Sequence, residues 1–325
     1  FFSLIPIDFF IEVYNNFEFE RNPDVPISII QILFSYLVFQ NEAKQFSPSN
    51  NAKLFSIMDF LLFCLSSTYN QPGSFNFEIT HWCILTLNLF YKLSAIFCQH
   101  QIDSILTILG EILTNSIQLQ TDSIRQNKSQ HIKHSGLKRN GRLIVTVVNV
   151  LISLFESGSL INESQNIIIP VFALINHNIP EIQHRALHCI DVFFRCSPDR
   201  ISSFIENSIL IHFKNIFAST SYSVSKELIN ILLLIMKNGQ NNDQISILQN
   251  HFIENITPLM KDAENEFYLI CLDLISRMLI LEETLQTDFN VHTGFIECDG
   301  LDIVSERIND NDEEIVEMSR QFLQN

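Results

Sequence analysis

The feature that most constrains this chain is a repeat of apolar helical segments along its C-terminal half. Four repeats there each pair a shorter apolar segment with a longer one across a polar turn. When the longer segments are aligned, equivalent positions are spaced by 40, 42, 43 and 48 residues. Most of these anchor positions carry small residues, as expected where helices approach closely. The five anchors are Thr146, Ala186, Leu228, Cys271 and Ser319.

A period of about 40–47 residues is typical of armadillo and HEAT repeats, in which stacked helices share one continuous core. Gly (8) and Pro (9) are scarce, whereas a large all-β fold would need many turn residues. The 46% hydrophobic and 17% charged fractions exclude a disordered chain. The sequence therefore predicts an all-α fold, an armadillo/HEAT-type right-handed α-solenoid superhelix.

Three regions are expected along the chain. Residues 1–117 should form irregular helical repeats, and residues 141–325 should form regular armadillo-like repeats. The segment 118–140 between them is polar and basic with little apolar periodicity, which predicts an inserted loop. The stretch 282–293 lengthens the last repeat step and is interpreted as an extra segment.

Local signals predict three helix ends in the repeats. Pro180 suits the first turn of a helix, where its missing N–H costs nothing. Gly239 suits a helix end, and Asp312 suits an N-cap.

The net charge of −16 is unevenly distributed, because residues 121–142 hold six basic residues and one acid. An acidic surface disfavours nucleic acid, whose phosphates need basic contacts. It suits basic protein partners, or it simply keeps the chain soluble, and both interpretations stay open. The acid-rich last repeat allows the same choice between docking of a basic partner and complementing helix dipoles.

Composition also bears on membranes and secretion. Two uncharged runs, 25–41 and 164–180, sit at the short limit for a membrane span and contain polar residues, so no membrane partner is expected. The apolar start contains Asp8 and Glu12 and has no basic residue before them, which argues against a signal peptide. The seven cysteines form no CxxC pair, which predicts buried thiols in a reducing compartment.

Chemistry-bearing motifs are few. His184 and His188 are at i, i+4 and share a helix face, so they could ligate a metal. No second Cys or His pair follows at a suitable distance, and an exposed polar helix face explains them equally, so no metal and no cofactor is predicted. There is no P-loop, nucleophile elbow, dinucleotide motif or HExxH sequence. No catalytic residue is therefore predicted, and the chain is not expected to be an enzyme.

Two further features have both a binding and a structural interpretation. Trp82, the single tryptophan, could stack on the stem of a bound Lys or Arg, or it could pack in the core. The basic stretch 133–142 could be a nuclear-targeting signal, could fold back onto an acidic groove, or could be a solvated loop.

The last repeat contains residues 296–302 (IECDGLD), residues 312–315 (DEEI) and Ser319. Through these residues it resembles the final armadillo repeat of importin-α, the nuclear-import adaptor. Residues 270–279, the run ALHCI at 186–190 and the pair Lys226–Glu227 are similar to earlier repeats of that family. The resemblance spans four collinear repeats over roughly the second half of the chain.

This resemblance implies a protein-binding adaptor in nucleocytoplasmic transport, located in the cytoplasm or nucleus. Basic peptides or transport receptors would be its partners. Importin-α reads lysine-rich signals with Trp and Asn four residues apart on its third helices. The corresponding pairs here are His188 with Val192 and Asn230 with Leu234, so that ladder is not retained.

We expect partner binding at four positions, Trp82, His188, Asn230 and Asp273. Trp82 itself is followed four residues later by Thr86 rather than by Asn. The alternative function is a general helical scaffold subunit of a larger complex, with no transport role.

Overall fold

The computed structural model describes residues 27–35, 60–62, 64–65, 77–93, 99–125, 130–156, 165–205, 209–217, 221–286 and 289–324. Within these ranges the chain is helical with short turns and contains no strand. The all-α prediction is therefore confirmed. The chain divides into two compact units between Leu174 and Ile175.

The first unit contains α1 (27–35), α2 (Phe77–Leu93), α3 (Gln99–Arg125), α4 (Gln130–Glu156) and α5 (Gln165–Leu174). Helix α4 packs against both α2 and α3, and α5 packs against α3. The core between them is aliphatic, and its fully buried residues include Leu109, Leu113, Leu143, Val147 and Ile168. The connectors expected at 41–51 and 69–74 lie outside the described residues.

The loop expected over 118–140 is not observed in the part of that range that the structure describes. Helix α3 continues to Arg125, and α4 already begins at Gln130. Polar residues such as Gln, Lys and Arg extend helices well without an apolar stripe, so the loss of periodicity did not end the helix. The division into two compact units falls after Leu174, and α4 packs within the first unit.

The second unit opens with α6 (Pro180–Cys196) and continues as three repeats of three helices each. The first repeat is α7 (Ile201–Ile205), α8 (Ile209–Phe217) and α9 (Tyr222–Asn238). The second is α10 (Asn241–Gln249), α11 (Ile253–Met260) and α12 (Asn265–Leu285), and the third is α13 (Val291–Glu297), α14 (Gly300–Arg307) and α15 (Glu313–Gln324). The longest helices are neighbours in the order α6, α9, α12 and α15.

The sequence predicts two helices per repeat, whereas the structure has three. The helix that the sequence does not predict is the short first helix of each repeat. Helices of five to nine residues span too few turns to show a helical period. The stretch 282–293, expected to be an extra segment, instead holds the end of α12 and the start of α13. Three helices per repeat match the armadillo form of the solenoid.

The predicted anchors and helix ends are confirmed. Four anchors are fully buried and the fifth, Thr146, is nearly so. Pro180 is the first residue of α6, and Asp312 caps α15 by accepting a hydrogen bond from the Glu314 amide at 3.0 Å. Gly239 ends α9 in an extended conformation, and a Cβ there would lie 2.6 Å from the Ile235 carbonyl oxygen, so close approach explains the glycine.

The structure describes six of the cysteines. Cys64, Cys83, Cys189 and Cys271 are buried and lie outside any disulfide, Cys196 and Cys298 are half-buried, and burial raises the pKa of Cys271 to about 12. Among the described residues, no helix is both long enough and apolar enough to cross a membrane.

Candidate functional site

The adjacent helices α6, α9 and α12 present polar side chains at equivalent positions. His188, Asn230 and Asp273 each lie two residues after the anchor of their helix. All three side chains are half-buried. Because α6 packs against α9 and α9 packs against α12, three of the four predicted partner-binding residues belong to one row of neighbouring helices.

Between α6 and α9, two histidines face one carboxylate. His184 Nε2 and His188 Nδ1 each lie 3.5 Å from Glu227 Oε1. The i, i+4 spacing on α6 places both rings on one helix face. Asp191 lies on the same helix, and its donor oxygen is within 4.8 Å of the facing atoms of His188 and Glu227. We call His184, His188, Asp191 and Glu227 the His–Glu cluster.

The His–Glu cluster is largely buried and incompletely hydrogen-bonded. The side chains of Glu227 and Asp191 are only 14% and 7% exposed. His188 Nδ1 and Glu227 Oε2 are buried with no hydrogen bond to any residue that the structure describes. For His188 Nδ1, the 3.5 Å separation from Glu227 Oε1 explains this, because it exceeds ordinary N–H···O distances of about 2.7–3.2 Å.

The pKa values of the cluster residues shift in different directions. The Glu227 carboxylate raises the pKa of His188, although burial opposes the shift. Burial lowers the pKa of His184. Burial also raises the pKa of Asp191, although the ion pair with Arg195 acts to lower it. Desolvation is therefore the common feature of the cluster.

Between α9 and α12, the corresponding charges are fully paired. Lys237 Nζ lies 2.7 Å from Asp273 Oδ2, and Arg277 Nε donates to Asp273 Oδ1 at 2.8 Å. We call Lys237, Asp273 and Arg277 the Lys–Asp cluster. Both oxygens of Asp273 are thus engaged by basic residues of the chain, so a basic ligand would have to displace them.

Asn230 is on α9, the helix that contributes to both clusters. Its side chain is half-buried and makes no hydrogen bond within the described part of the chain. An amide offers both donors and an acceptor, so it can hold an extended peptide backbone. Asn230 is therefore the predicted site residue that remains available to a ligand.

Trp82 lies in the first unit and is half-buried. Its ring packs edge-on against Phe34 of α1, with ring centroids 5.7 Å apart. The Thr86 hydroxyl donates to the Trp82 carbonyl at 2.7 Å. The tryptophan therefore contributes to packing between α1 and α2, the structural alternative raised by the sequence.

A groove near the end of the second unit was not anticipated from the sequence. Its volume is about 770 Å³, and its lining includes Ile280, Phe295, Leu301, Phe322 and Leu323. Ile280 is 61% exposed, which is unusual for a large apolar side chain. The lining comes from four separate helices, so no local pattern could have revealed it.

The acid-rich last repeat has structural roles for two of its acids. Asp312 caps α15. Asp310 accepts a hydrogen bond from the Asp312 amide at 3.1 Å and pairs with Arg307 at 3.0 Å. These contacts lower the pKa of Asp310. They match the interpretation in which acids stabilise helix starts.

Comparisons with known proteins bear on the fold. No protein-family model matches the chain, and no curated protein matches it. A computationally designed armadillo-repeat protein for modular peptide recognition is 13% identical with a TM-score of 0.54, covering 81% of this chain and 98% of that chain. A designed armadillo-repeat protein in complex with the peptide (KR)4 is 15% identical with a TM-score of 0.50, and the match covers 80% of this chain and 97% of that chain. An engineered protein is 12% identical with a TM-score of 0.55, and the match covers 93% of this chain and 64% of that chain.

At such low identity these likenesses concern the fold alone. They do not show the similarity to importin-α that the last repeats suggest. They agree with the three-helix repeats and the buried anchors described above, and together these findings show that the chain has the armadillo-type α-solenoid fold.

Proposed function

We propose that this chain is a protein-binding adaptor that holds an extended peptide of a partner across α6, α9 and α12. The observation that carries the proposal is the row of half-buried polar residues at equivalent positions of these helices, His188, Asn230 and Asp273. Helices packed about 8–10 Å apart match two or three residues of an extended strand, at about 3.3 Å per residue. A repeated row can therefore contact a peptide at regular intervals.

The charge of the chain favours a peptide with basic residues. The net charge of −16 attracts cations at long range and increases the association rate. Designed armadillo proteins of similar fold were made for peptide recognition, and one of them binds (KR)4. These observations support a peptide ligand more than they support an enzyme, nucleic-acid or membrane function.

A role in nucleocytoplasmic transport, in the cytoplasm or nucleus, is the finer form of the proposal. It rests on the resemblance of residues 296–302 and their neighbouring repeats to importin-α. Since the Trp and Asn ladder is not retained, the ligand would differ from a simple lysine-rich signal. Transport receptors that engage importin-α are the corresponding partners.

The exposed apolar groove near the end of the second unit favours a second candidate function, a scaffold subunit of a larger complex. Ile280, Leu301 and Leu323 are exposed there and offer a surface for an apolar partner segment. This function requires no peptide at the row of α6, α9 and α12.

Fluorescence anisotropy with labelled peptides tests the peptide proposal. We expect (KR)4 to bind more tightly than an acidic peptide of equal length, with an affinity that falls as salt rises. Asn230→Ala should weaken binding about fivefold to tenfold, because it removes hydrogen bonds to the peptide backbone. Asn238→Ala, at the exposed end of the same helix, is the matched control and should leave affinity unchanged.

Two outcomes separate the levels of this proposal. Equal affinity of the Asn230→Ala and Asn238→Ala variants, or no binding of either peptide, would contradict the row as a peptide site. A pull-down with a lysine-rich nuclear-localisation peptide and with the export receptor that recycles importin-α tests transport. Failure of both would remove the transport role and leave the broader adaptor function to the peptide assay.

A further inference from the structure

We propose that the His–Glu cluster is a binding site for a transition-metal dication of the Zn²⁺ type, held between α6 and α9. His188 would supply an imidazole nitrogen, and Asp191 and Glu227 would each supply a carboxylate oxygen, because one donor atom of each residue lies within 4.8 Å of the other two. His184 lies outside this group, although its Nε2 is 3.5 Å from Glu227 Oε1. The sequence shows only the histidine pair, because Glu227 belongs to the next repeat. The proposal goes beyond peptide binding and does not depend on it.

The separation between His188 and Glu227 fits tetrahedral coordination. Zn²⁺ binds histidine nitrogen at about 2.0–2.1 Å and carboxylate oxygen at about 2.0–2.2 Å, so two tetrahedral ligand atoms lie about 3.3–3.5 Å apart. Glu227 Oε1 lies 3.5 Å from His188 Nδ1. An octahedral site with bonds of about 2.0–2.1 Å would bring adjacent ligand atoms to about 2.9 Å. The His188–Glu227 separation is closer to the tetrahedral value.

The unpaired atoms of the cluster point to the same conclusion. His188 Nδ1 and Glu227 Oε2 are buried, and neither makes a hydrogen bond within the described residues. Buried polar atoms are nearly always satisfied, and a bound ion is one of the accepted explanations for an exception. A bound metal ion would accept the lone pair of the imidazole nitrogen and would also neutralise the negative charge of the carboxylate.

Asp191 supplies the third donor atom of the proposed site. Its side chain is 7% exposed, and its donor oxygen lies within 4.8 Å of the donor atoms of His188 and Glu227. Its Oδ2 accepts a hydrogen bond from Arg195, which is one turn further along α6. Asp191 would therefore share its carboxylate between the ion and Arg195.

The donor set indicates which metals would bind. Imidazole nitrogen with carboxylate oxygen suits Zn²⁺, Co²⁺ and related transition metals, whereas Mg²⁺ and Ca²⁺ prefer oxygen ligands alone. Because the ligands come from two helices, a bound ion would join α6 to α9 and stabilise the folded chain through mass action.

The test is metal binding by the full chain after removal of metals with a chelator. Zn²⁺ would be titrated in competition with a chromophoric chelator, and Co²⁺ binding would be followed by visible absorption. We expect one saturable site per chain with the intense Co²⁺ bands of tetrahedral coordination. His188→Gln and Glu227→Gln should each weaken binding by at least about tenfold, the lower end of the loss seen even for residues that only support ligands.

His212→Gln is the matched control, since His212 is exposed on α8 and lies outside the cluster. Circular dichroism without metal establishes that each variant is folded, and the Zn²⁺-induced rise in Tm should disappear in Glu227→Gln but persist in His212→Gln. The proposal is overturned if no saturable site exists, if the three variants bind equally, or if Co²⁺ gives only the weak spectrum of octahedral coordination.

Discussion

The His–Glu cluster and the Lys–Asp cluster lie on successive helix pairs of one unit, yet they differ in how completely their charges are satisfied. In the Lys–Asp cluster, both oxygens of Asp273 have basic partners within 2.8 Å. In the His–Glu cluster, the nearest partners of Glu227 are two imidazoles at 3.5 Å, and one oxygen has no hydrogen bond among the described residues.

This difference shows that equivalent repeat positions do not carry equivalent chemistry. His188 and Asp273 occupy the same place relative to their anchors. His188 Nδ1 makes no hydrogen bond among the described residues, whereas Asp273 is paired with Lys237 and Arg277. The next junction, between α12 and α15, contains neither arrangement. There the buried hydroxyls of Tyr268 and Ser319 form a neutral hydrogen bond of 2.8 Å. The solenoid thus keeps its packing while the polar residues between its helices change.

The largest effect should come from the helix that both clusters share. Leu228 is fully buried on α9, and Leu228→Ala should lower the free energy of unfolding by about 2–5 kcal/mol, because it leaves a cavity. Urea denaturation measures this loss. Asn230→Ala on the same helix is the control and should change stability by less than about 0.5 kcal/mol. A similar small loss for both variants would mean that α9 does not support the two clusters through its buried face.

The neutral junction between α12 and α15 provides a reference for a fully satisfied contact. Tyr268→Phe should lower the free energy of unfolding by about 1–3 kcal/mol, since it leaves the buried Ser319 hydroxyl without its partner. Adding Ser319→Ala to the Tyr268→Phe variant should then lower the free energy of unfolding only a little further. A double-mutant cycle by urea denaturation checks this, and strictly additive losses would argue against the hydrogen bond.

A matched pair of substitutions tests the comparison of the two charged clusters directly. Asp273→Asn should lower the free energy of unfolding by about 0.2–1 kcal/mol, and by less at high salt. In metal-free protein, Glu227→Gln should lower the free energy of unfolding by less than Asp273→Asn does. The reason is that the Glu227 carboxylate is desolvated and lacks a good hydrogen bond. Both would be measured by urea denaturation at about pH 8, above the ordinary imidazole pKa of about 6.5, because Glu227 raises the pKa of His188. A larger loss for Glu227→Gln would show that the His–Glu cluster is already satisfied without a ligand.

The smallest effect concerns acid sensitivity in the last repeat, away from both clusters. The Asp312 amide and Arg307 lower the pKa of Asp310 below its ordinary value of 3.8. The ionised carboxylate therefore stabilises the fold above about pH 4, and this contribution is lost as pH falls through the lowered pKa. Asp310→Asn should be less stable than the parent at neutral pH and equally stable near about pH 2. Thermal unfolding across this range provides the measurement, and a difference that persists at acid pH would contradict the assignment.

Much of the fold could be predicted because its signals are local. The repeat spacing, the burial of the anchors, Pro180 at a helix start and Asp312 at an N-cap each depend on residues within a few turns of one another. The errors have the same origin. Helices α7, α10 and α13 are too short to show a period, and polar residues continue α3 and α4 into the range expected to be a loop.

The candidate site also combines features that depend on local sequence with features that depend on tertiary packing. The sequence alone determined that His184 and His188 share a helix face and that His188, Asn230 and Asp273 are equivalent positions of a repeat. Only the tertiary structure decided that Glu227 meets both histidines, and that Lys237 and Arg277 neutralise Asp273. Periodicity specifies which face of a helix is buried. The partners across two helices depend on their axial offset and rotamers, which are set by packing over the whole interface.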